Sequence, residues 1–211
     1  MNLKERLIDA LPAHAERFTN IRGSFLYVKD LKAIGGGNAI IECTATGIAA
    51  VELQNPNSIT VDFDSFPENA LPLSEGNYES QCECVLFPED SDVDEWVLFI
   101  ETKYAKSLES VQCKEYDYPQ QMVKQIKQTV AYFREKNIIA PDKKVYAIVS
   151  FPLIYEGYES WTFPERYDDG SEESVENIMD RYKIHIRATN YATIKNLKKI
   201  KLAHRYVPRN D

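Results

Sequence analysis

The stretch 81–106, QCECVLFPEDSDVDEWVLFIETKYAK, limits what the chain can fold into more than any other. It holds two apolar runs, 82–87 and 96–105, each with the length and composition of a strand. Yet Glu83 interrupts the first, and Glu101 and Lys103 close the second. Successive strand residues point to opposite faces, so Glu101 and Lys103 share a face and Thr102 turns away. A charge buried alone is costly, so each of these groups requires a partner or a metal. Two carboxylates are the oxygen ligands Mg²⁺ takes, and that ion characteristically keeps waters for a substrate phosphate to replace. A lysine beside them can orient or help deprotonate such a water and steady charge on phosphoryl oxygens. Glu83 and Glu101 are therefore candidate metal ligands, and Lys103 a candidate catalytic group.

The flanking segments set these strands in a mixed α/β (α+β) plan. Leu3, Leu7, Ile8, Leu11, Ala15 and Phe18 recur at helical spacing over 2–18, with Asn2 as N-cap and Pro12 as a kink or break. Residues 23–63 read as several strands, among them SFLYVKDLKAI and NAIIECTA on either side of a GGGN connection. PENALPLSEGNYES reads as loop. Met122, Ile126, Val130 and Phe133 form one stripe of a crossover helix at 119–137, with Pro119 near its start. KKVYAIVSF, 143–151, then reads as a strand buried on both faces. The expected product is one domain, 1–211, with a mixed sheet flanked by helices. Within it, after residue 151, come an aromatic and acidic excursion, a strand YKIHIRAT, and a basic amphipathic helix YATIKNLKKIKLA.

Charge is unevenly spread. The net charge is −8, but from Arg181 to Asn210 there are nine bases and no acid, leaving 16 of the 25 bases to face all 33 acids. An acidic body with one basic element can present a single surface to a polyanion, or dock that element on itself. Lys183, Arg187, Lys195, Lys198, Lys199 and Lys201 are the candidate nucleic-acid contacts, with Lys106, Lys114, Lys124 and Lys127 as flanking cations. Tyr155, Tyr158, Trp161, Phe163 and Tyr167 offer stacking surfaces, but their acidic neighbours favour a lid or a protein-binding surface. The four cysteines form no CxxC pair and read as reduced thiols, with Cys82 and Cys84 packed beside Leu86 rather than holding zinc. No apolar run is long enough to span a membrane, and the N-terminus lacks a signal-peptide core, so a cytoplasmic protein is expected.

FIETKYA resembles the (D/E)xK strand of the PD-(D/E)XK nuclease superfamily, and CECVLF resembles the family's preceding strand, which carries the first acid. The resemblance covers roughly 80–151, with the N-terminal helix as an addition. It implies a restriction-endonuclease-like core of helix, three strands, helix and strand, and a Mg²⁺- (or Mn²⁺-) dependent nuclease acting on DNA rather than RNA. It assigns Glu83 and Glu101 to the metal and Lys103 to water activation. Gln125 or Gln128 would stand near the site, Gln125 being preferred. Many members add an acid from the first helix, for which Glu5, Asp9 and Glu16 are candidates, with Glu16 preferred. The chain departs from the pattern in carrying glutamate where the first acid is usually aspartate. Asp92 or Asp94 would replace Glu83 if the strand ended elsewhere. The competing expectation is a catalytically inactive module of the same fold that binds a protein or nucleic acid, and a homodimer stays open.

Overall fold

The computed structural model describes residues 1–32, 35–92, 94–112, 118–154, 165–166, 172–173 and 175–203. Helix α1 (Leu3–Ala10) opens on a capping box: the Asn2 side chain accepts from the Glu5 N–H at 2.9 Å, and the Glu5 carboxylate accepts from the Asn2 N–H at 2.8 Å. The helix ends before Pro12, which begins a short 3₁₀ turn, Pro12–His14. Seven strands follow: β1 (Thr19–Ile21), β2 (Phe25–Asp30), β3 (Ala39–Glu42), β4 (Val51–Gln54), β5 (Val61–Ser65), β6 (Pro72–Ser74) and β7 (Asn77–Tyr78). Next come β8 (Cys84–Pro88), β9 (Leu98–Thr102), α2 (Leu108–Gln112), α3 (Tyr118–Glu135) and β10 (Val145–Ser150). The described chain closes with β11 (Glu165–Arg166), β12 (Glu172–Glu173), α4 (Val175–Tyr182), β13 (Ile184–Ala188), β14 (Tyr191–Asn196) and β15 (Lys199–Leu202).

Two mixed sheets organise the α+β fold. The first has the order β1-β5-β8-β9-β10-β13, and the second β15-β14-β4-β2-β3. Within the first, β5, β8 and β9 form an antiparallel meander, α3 crosses over, and β10 returns parallel to β9. Side chains of the first sheet alternate between two cores, as period two requires. Val85, Phe87, Val97, Phe99, Ala147 and Val149 meet Leu3 and Leu7 of α1 and Met122, Ile126, Val130 and Phe133 of α3. Leu86, Leu98, Ile100 and Ile148 face the other way, against Leu26, Val28, Val51 and Leu53 of the second sheet. The result is three layers: helices, sheet, sheet. Buried Asn55 holds the crossing from β4 to β5 between the sheets, donating to the carbonyls of Gly23 and Ile59, each at 2.8 Å, and accepting from the Ile59 N–H. No helix among the described residues is long and apolar enough to cross a membrane.

Two expectations need correction. The segment 191–203 is a hairpin rather than a basic helix. Ala192, Ile194, Ile200 and Leu202 point inward with period two, while Lys195, Lys199 and Lys201 point out. Leu197, which would continue a helical stripe, is half exposed in the turn, where the Asn196 side chain accepts from the Lys198 N–H. Cys82 and Cys84 are both buried free thiols, but only Cys84 lies beside Leu86 between the sheets. Cys82 precedes β8 and packs in the helix-side core. The expected loop at 67–80 also contains the small β6–β7 ribbon. The aromatic set Tyr155, Tyr158, Trp161, Phe163 and Tyr167, together with Lys114, lies outside the described residues.

One buried polar pair locks the 3₁₀ turn to the sheet. His14 Nδ1 lies 2.6 Å from Asp64 Oδ2, and Nε2 lies 3.2 Å from the Ala70 carbonyl. A carbonyl only accepts, so Nε2 carries a hydrogen and a second proton lies between Nδ1 and Asp64. Burial pushes the Asp64 carboxyl up, and the His14 contact opposes that. Breaking such a pair by removing one partner leaves the other buried and unmatched, at a cost of about 3–5 kcal/mol. Urea denaturation of His14→Ala is therefore expected to show that loss. Asp64→Asn, whose amide can still bond the ring without a charge, is expected to lose clearly less; equal losses would contradict the shared-proton arrangement.

Candidate functional site

The register of β8 and β9 brings the acids together. Cys84 pairs with Ile100, and Glu83 stands just before it, its N–H donating to the Ile100 carbonyl at 3.1 Å while the Phe66 N–H donates to the Glu83 carbonyl at 2.9 Å. Glu83 is thus held where the regular ladder ends, close to Glu101 without being its register partner, and like charges brought this close repel. Both carboxylates are nonetheless buried, Glu101 completely. What makes this tolerable is Lys103, two residues along the same face. Its ammonium lies 2.7 Å from Glu101 Oε1 and 3.8 Å from Glu83 Oε1. The Lys103 N–H is fixed in turn to the Ser150 carbonyl at the end of β10, at 2.9 Å.

Compensation is incomplete. Glu101 Oε2 is buried and has no hydrogen-bond partner. Burial, with repulsion from Glu83, raises the Glu101 carboxyl to about 8 against the pull of Lys103. Burial works against the charge of Lys103, but Glu101, Glu83 and Asp30 outweigh it and hold the ammonium above its ordinary value. This is a net acidic pocket with one free carboxylate oxygen.

Gln125 and Thr129 of α3 hold the approach to Glu83. The Gln125 amide donates to the Gln81 carbonyl at 2.9 Å, and the Thr129 hydroxyl accepts from the Cys82 N–H at 2.9 Å. Gln125 thus touches the segment carrying Glu83 and lines an open groove of ≈ 280 Å³ with Lys32, Gln81, Glu83 and Glu79. Glu16 is exposed beyond the 3₁₀ turn, and no hydrogen bond or ion pair among the described residues joins it to the acids. Glu5 is occupied in the α1 cap and Asp9 is exposed. Asp92 and Asp94 lie before β9, the second paired with Lys198 at 3.1 Å, so neither replaces Glu83.

The basic residues are dispersed. Lys183 follows α4 with a left-handed backbone (φ 55), and Arg187 lies on edge strand β13. Lys195, Lys198, Lys199 and Lys201 belong to the β14–β15 hairpin, whose turn is pinned where the Trp96 indole donates to the Asn196 carbonyl at 3.0 Å. Trp96 precedes β9 while Glu101 lies near its end, a separation of roughly 17 Å along a strand. The hairpin turn and the acids therefore occupy opposite ends of β9.

The neighbours that sequence reasoning missed come from β2. Buried Asp30 ends that strand, and its carboxylate accepts from the Lys32 N–H at 2.9 Å. Lys32 Nζ then reaches Glu83 Oε2 at 3.0 Å. Burial and the Glu83 carboxylate raise Asp30, which in turn raises Glu101. A signal was available: FLYVKDLK, like LFIETK, is an apolar strand ending in acid-x-Lys. Comparisons with family models, curated proteins and solved structures give no match.

The raised Glu101 carboxyl has a thermodynamic consequence. Between its ordinary 4.5 and about 8 the folded state holds a proton that the unfolded chain releases. Stability from this group is thus fully present below 4.5 and is lost as pH rises towards and through 8. Glu101→Gln removes that titration. Its unfolding free energy, measured by urea titration from pH 5 to 9, is expected to fall less with pH than that of the parent; parallel curves would contradict a raised Glu101.

Proposed function

We propose that the chain is a Mg²⁺- or Mn²⁺-dependent phosphodiesterase of the PD-(D/E)XK kind, acting on DNA. The observation that carries this reading is the unpartnered oxygen of fully buried Glu101, beside the Lys103 ammonium that also approaches Glu83. The order α1, meander β5-β8-β9, α3 and parallel β10 supports it, being the element order that the resemblance implies. The first strand of that order is Val61–Ser65, so the core begins well before residue 80.

The residues fit a hard cation of low protein coordination. No group of three or more His, Cys, Asp or Glu among the described residues is arranged to hold an ion. Two carboxylates suffice for Mg²⁺, which retains water and takes substrate phosphate as further ligands. Bound there, the ion supplies Lewis acidity and a water of lowered pKa. Glu101 and Glu83 would hold it, the extra methylene of Glu83 giving it more reach than aspartate has. Lys103 would keep its contact with Glu101 and donate a further hydrogen bond to the attacking water. Gln125 keeps the Glu83 segment in register from α3.

Purified protein with Mg²⁺ or Mn²⁺ is expected to cleave linear, nicked or single-stranded DNA. Lys103→Ala should lower the rate roughly 10²–10⁴-fold, as loss of a positioned proton-transfer group does. Equal activity in parent and variant would sink the reading. A binding module without catalysis is favoured by one feature: the acids already have two lysine partners, and the hairpin lysines stand at the far end of β9. That outcome would appear as partner binding indifferent to Glu101→Gln, with no cleavage by either protein.

A further inference from the structure

The Asp30-x-Lys32 strand end duplicates Glu101-x-Lys103 and meets it at Glu83, although it belongs to the other sheet. The two carboxylate oxygens of Glu83 are divided between two ammonium groups: Oε2 faces Lys32 at 3.0 Å and Oε1 faces Lys103 at 3.8 Å. Three acids, Asp30, Glu83 and Glu101, therefore share two amines, and the oxygen left over is Glu101 Oε2. The Lys32 side chain is one-third exposed and lines the groove that also exposes Glu83 and Gln125. Its backbone is fixed by Asp30, so the head can move while its base stays in place. Tyr104, next to Lys103, ties this strand end to the segment before β4, since its hydroxyl donates to the Ala49 carbonyl at 2.7 Å.

We infer that Lys32 is an exchangeable clamp: it neutralises Glu83 while no cation is bound, and on cation binding it is released to hold a phosphate of the nucleic-acid substrate. This rests on the nuclease reading above. The charges match. With all three acids ionised, the cluster carries one excess negative charge, and a divalent cation converts that into one excess positive charge. A single phosphodiester then brings it to neutrality. Lys32 is the cation free to make that contact, because Lys103 stays committed to Glu101 within the same strand. Asp30 is a positioning residue that sets the turn from which Lys32 reaches.

The test uses the full chain and Lys32→Gln, which keeps much of the aliphatic stem; Lys32→Met serves if that variant does not fold. Mn²⁺ binding is measured by calorimetry, and binding of a short single-stranded oligonucleotide in Ca²⁺ by fluorescence anisotropy across salt. Removing the competing ammonium is expected to tighten Mn²⁺ roughly threefold or more, the scale of a part-buried ion pair. The same change should weaken the oligonucleotide, and it should lower the slope of log affinity against log salt by about 0.7, one phosphate contact on a single strand. Unchanged or weaker Mn²⁺ binding overturns the clamp, as does an unchanged salt slope. If the parent binds no Mn²⁺ that Glu101→Gln abolishes, the nuclease reading fails instead, so the two failures are distinct.

Discussion

The Lys103 ammonium between Glu83 and Glu101 is the contact on which the arrangement of this molecule turns. Two carboxylates held close together at the end of a pair of strands, one of them wholly enclosed, would drive the strands apart if no cation stood between them. The chain meets that need locally, two residues along the same face, where the spacing of a strand delivers a side chain of the right length. A hydrophobic pair of similar volume would satisfy the fold as well or better. Retaining two acids, with one oxygen of Glu101 unpartnered, is therefore better explained by what the pocket can bind than by stability.

Around that contact the layers divide the work. The helix layer fixes the entry to β8: Gln125 and Thr129, one turn apart on α3, bond the backbone of Gln81 and Cys82 immediately before Glu83. The first sheet fixes height and register, so that Glu83 ends up beside Glu101 with Lys103 two residues farther along the same face. The second sheet, which packs on the far face through Leu26, Val28 and Leu53, contributes chemistry only at the end of β2, where Asp30 and Lys32 reach the Glu83 carboxylate. A layer that elsewhere serves burial thus completes the charge balance at one edge.

Much of this was legible in residues whose pattern is local. Asn2 and Glu5 announce a cap, Met122, Ile126, Val130 and Phe133 announce a helix, and charge at the end of an apolar strand announces a buried charge cluster. What was illegible depends on partners distant in sequence. In 191–203, Tyr191, Ile194 and Leu197 recur at a spacing that suits a helix as well as a strand, and only the inter-sheet core decides that Ala192, Ile194, Ile200 and Leu202 face one way. Glu16 was placed on the first helix, but α1 ends before Pro12 and Glu16 lies in solvent after the 3₁₀ turn. Lys32 was hidden for the opposite reason: nothing near it in the chain shows that β2 ends beside Glu83, 51 residues away.

The backbone around the acids limits what can change when the site is used. Glu83 is hydrogen-bonded through its main chain to Ile100 on one side and Phe66 on the other, and Lys103 to Ser150. Moving any of these Cα atoms would break ladder bonds next to a close-packed core, which is stiff against such shifts. The freedom that remains is in side-chain torsions: those of Glu83 and of partly exposed Lys32. The cation exchange proposed at Glu83 would then be a rotamer change, on the picosecond-to-nanosecond scale of exposed side chains, rather than a loop or domain motion. In the proposed site, selectivity would come from charge and from the open oxygen of Glu101, since the scaffold beneath it stays where β8 and β9 put it.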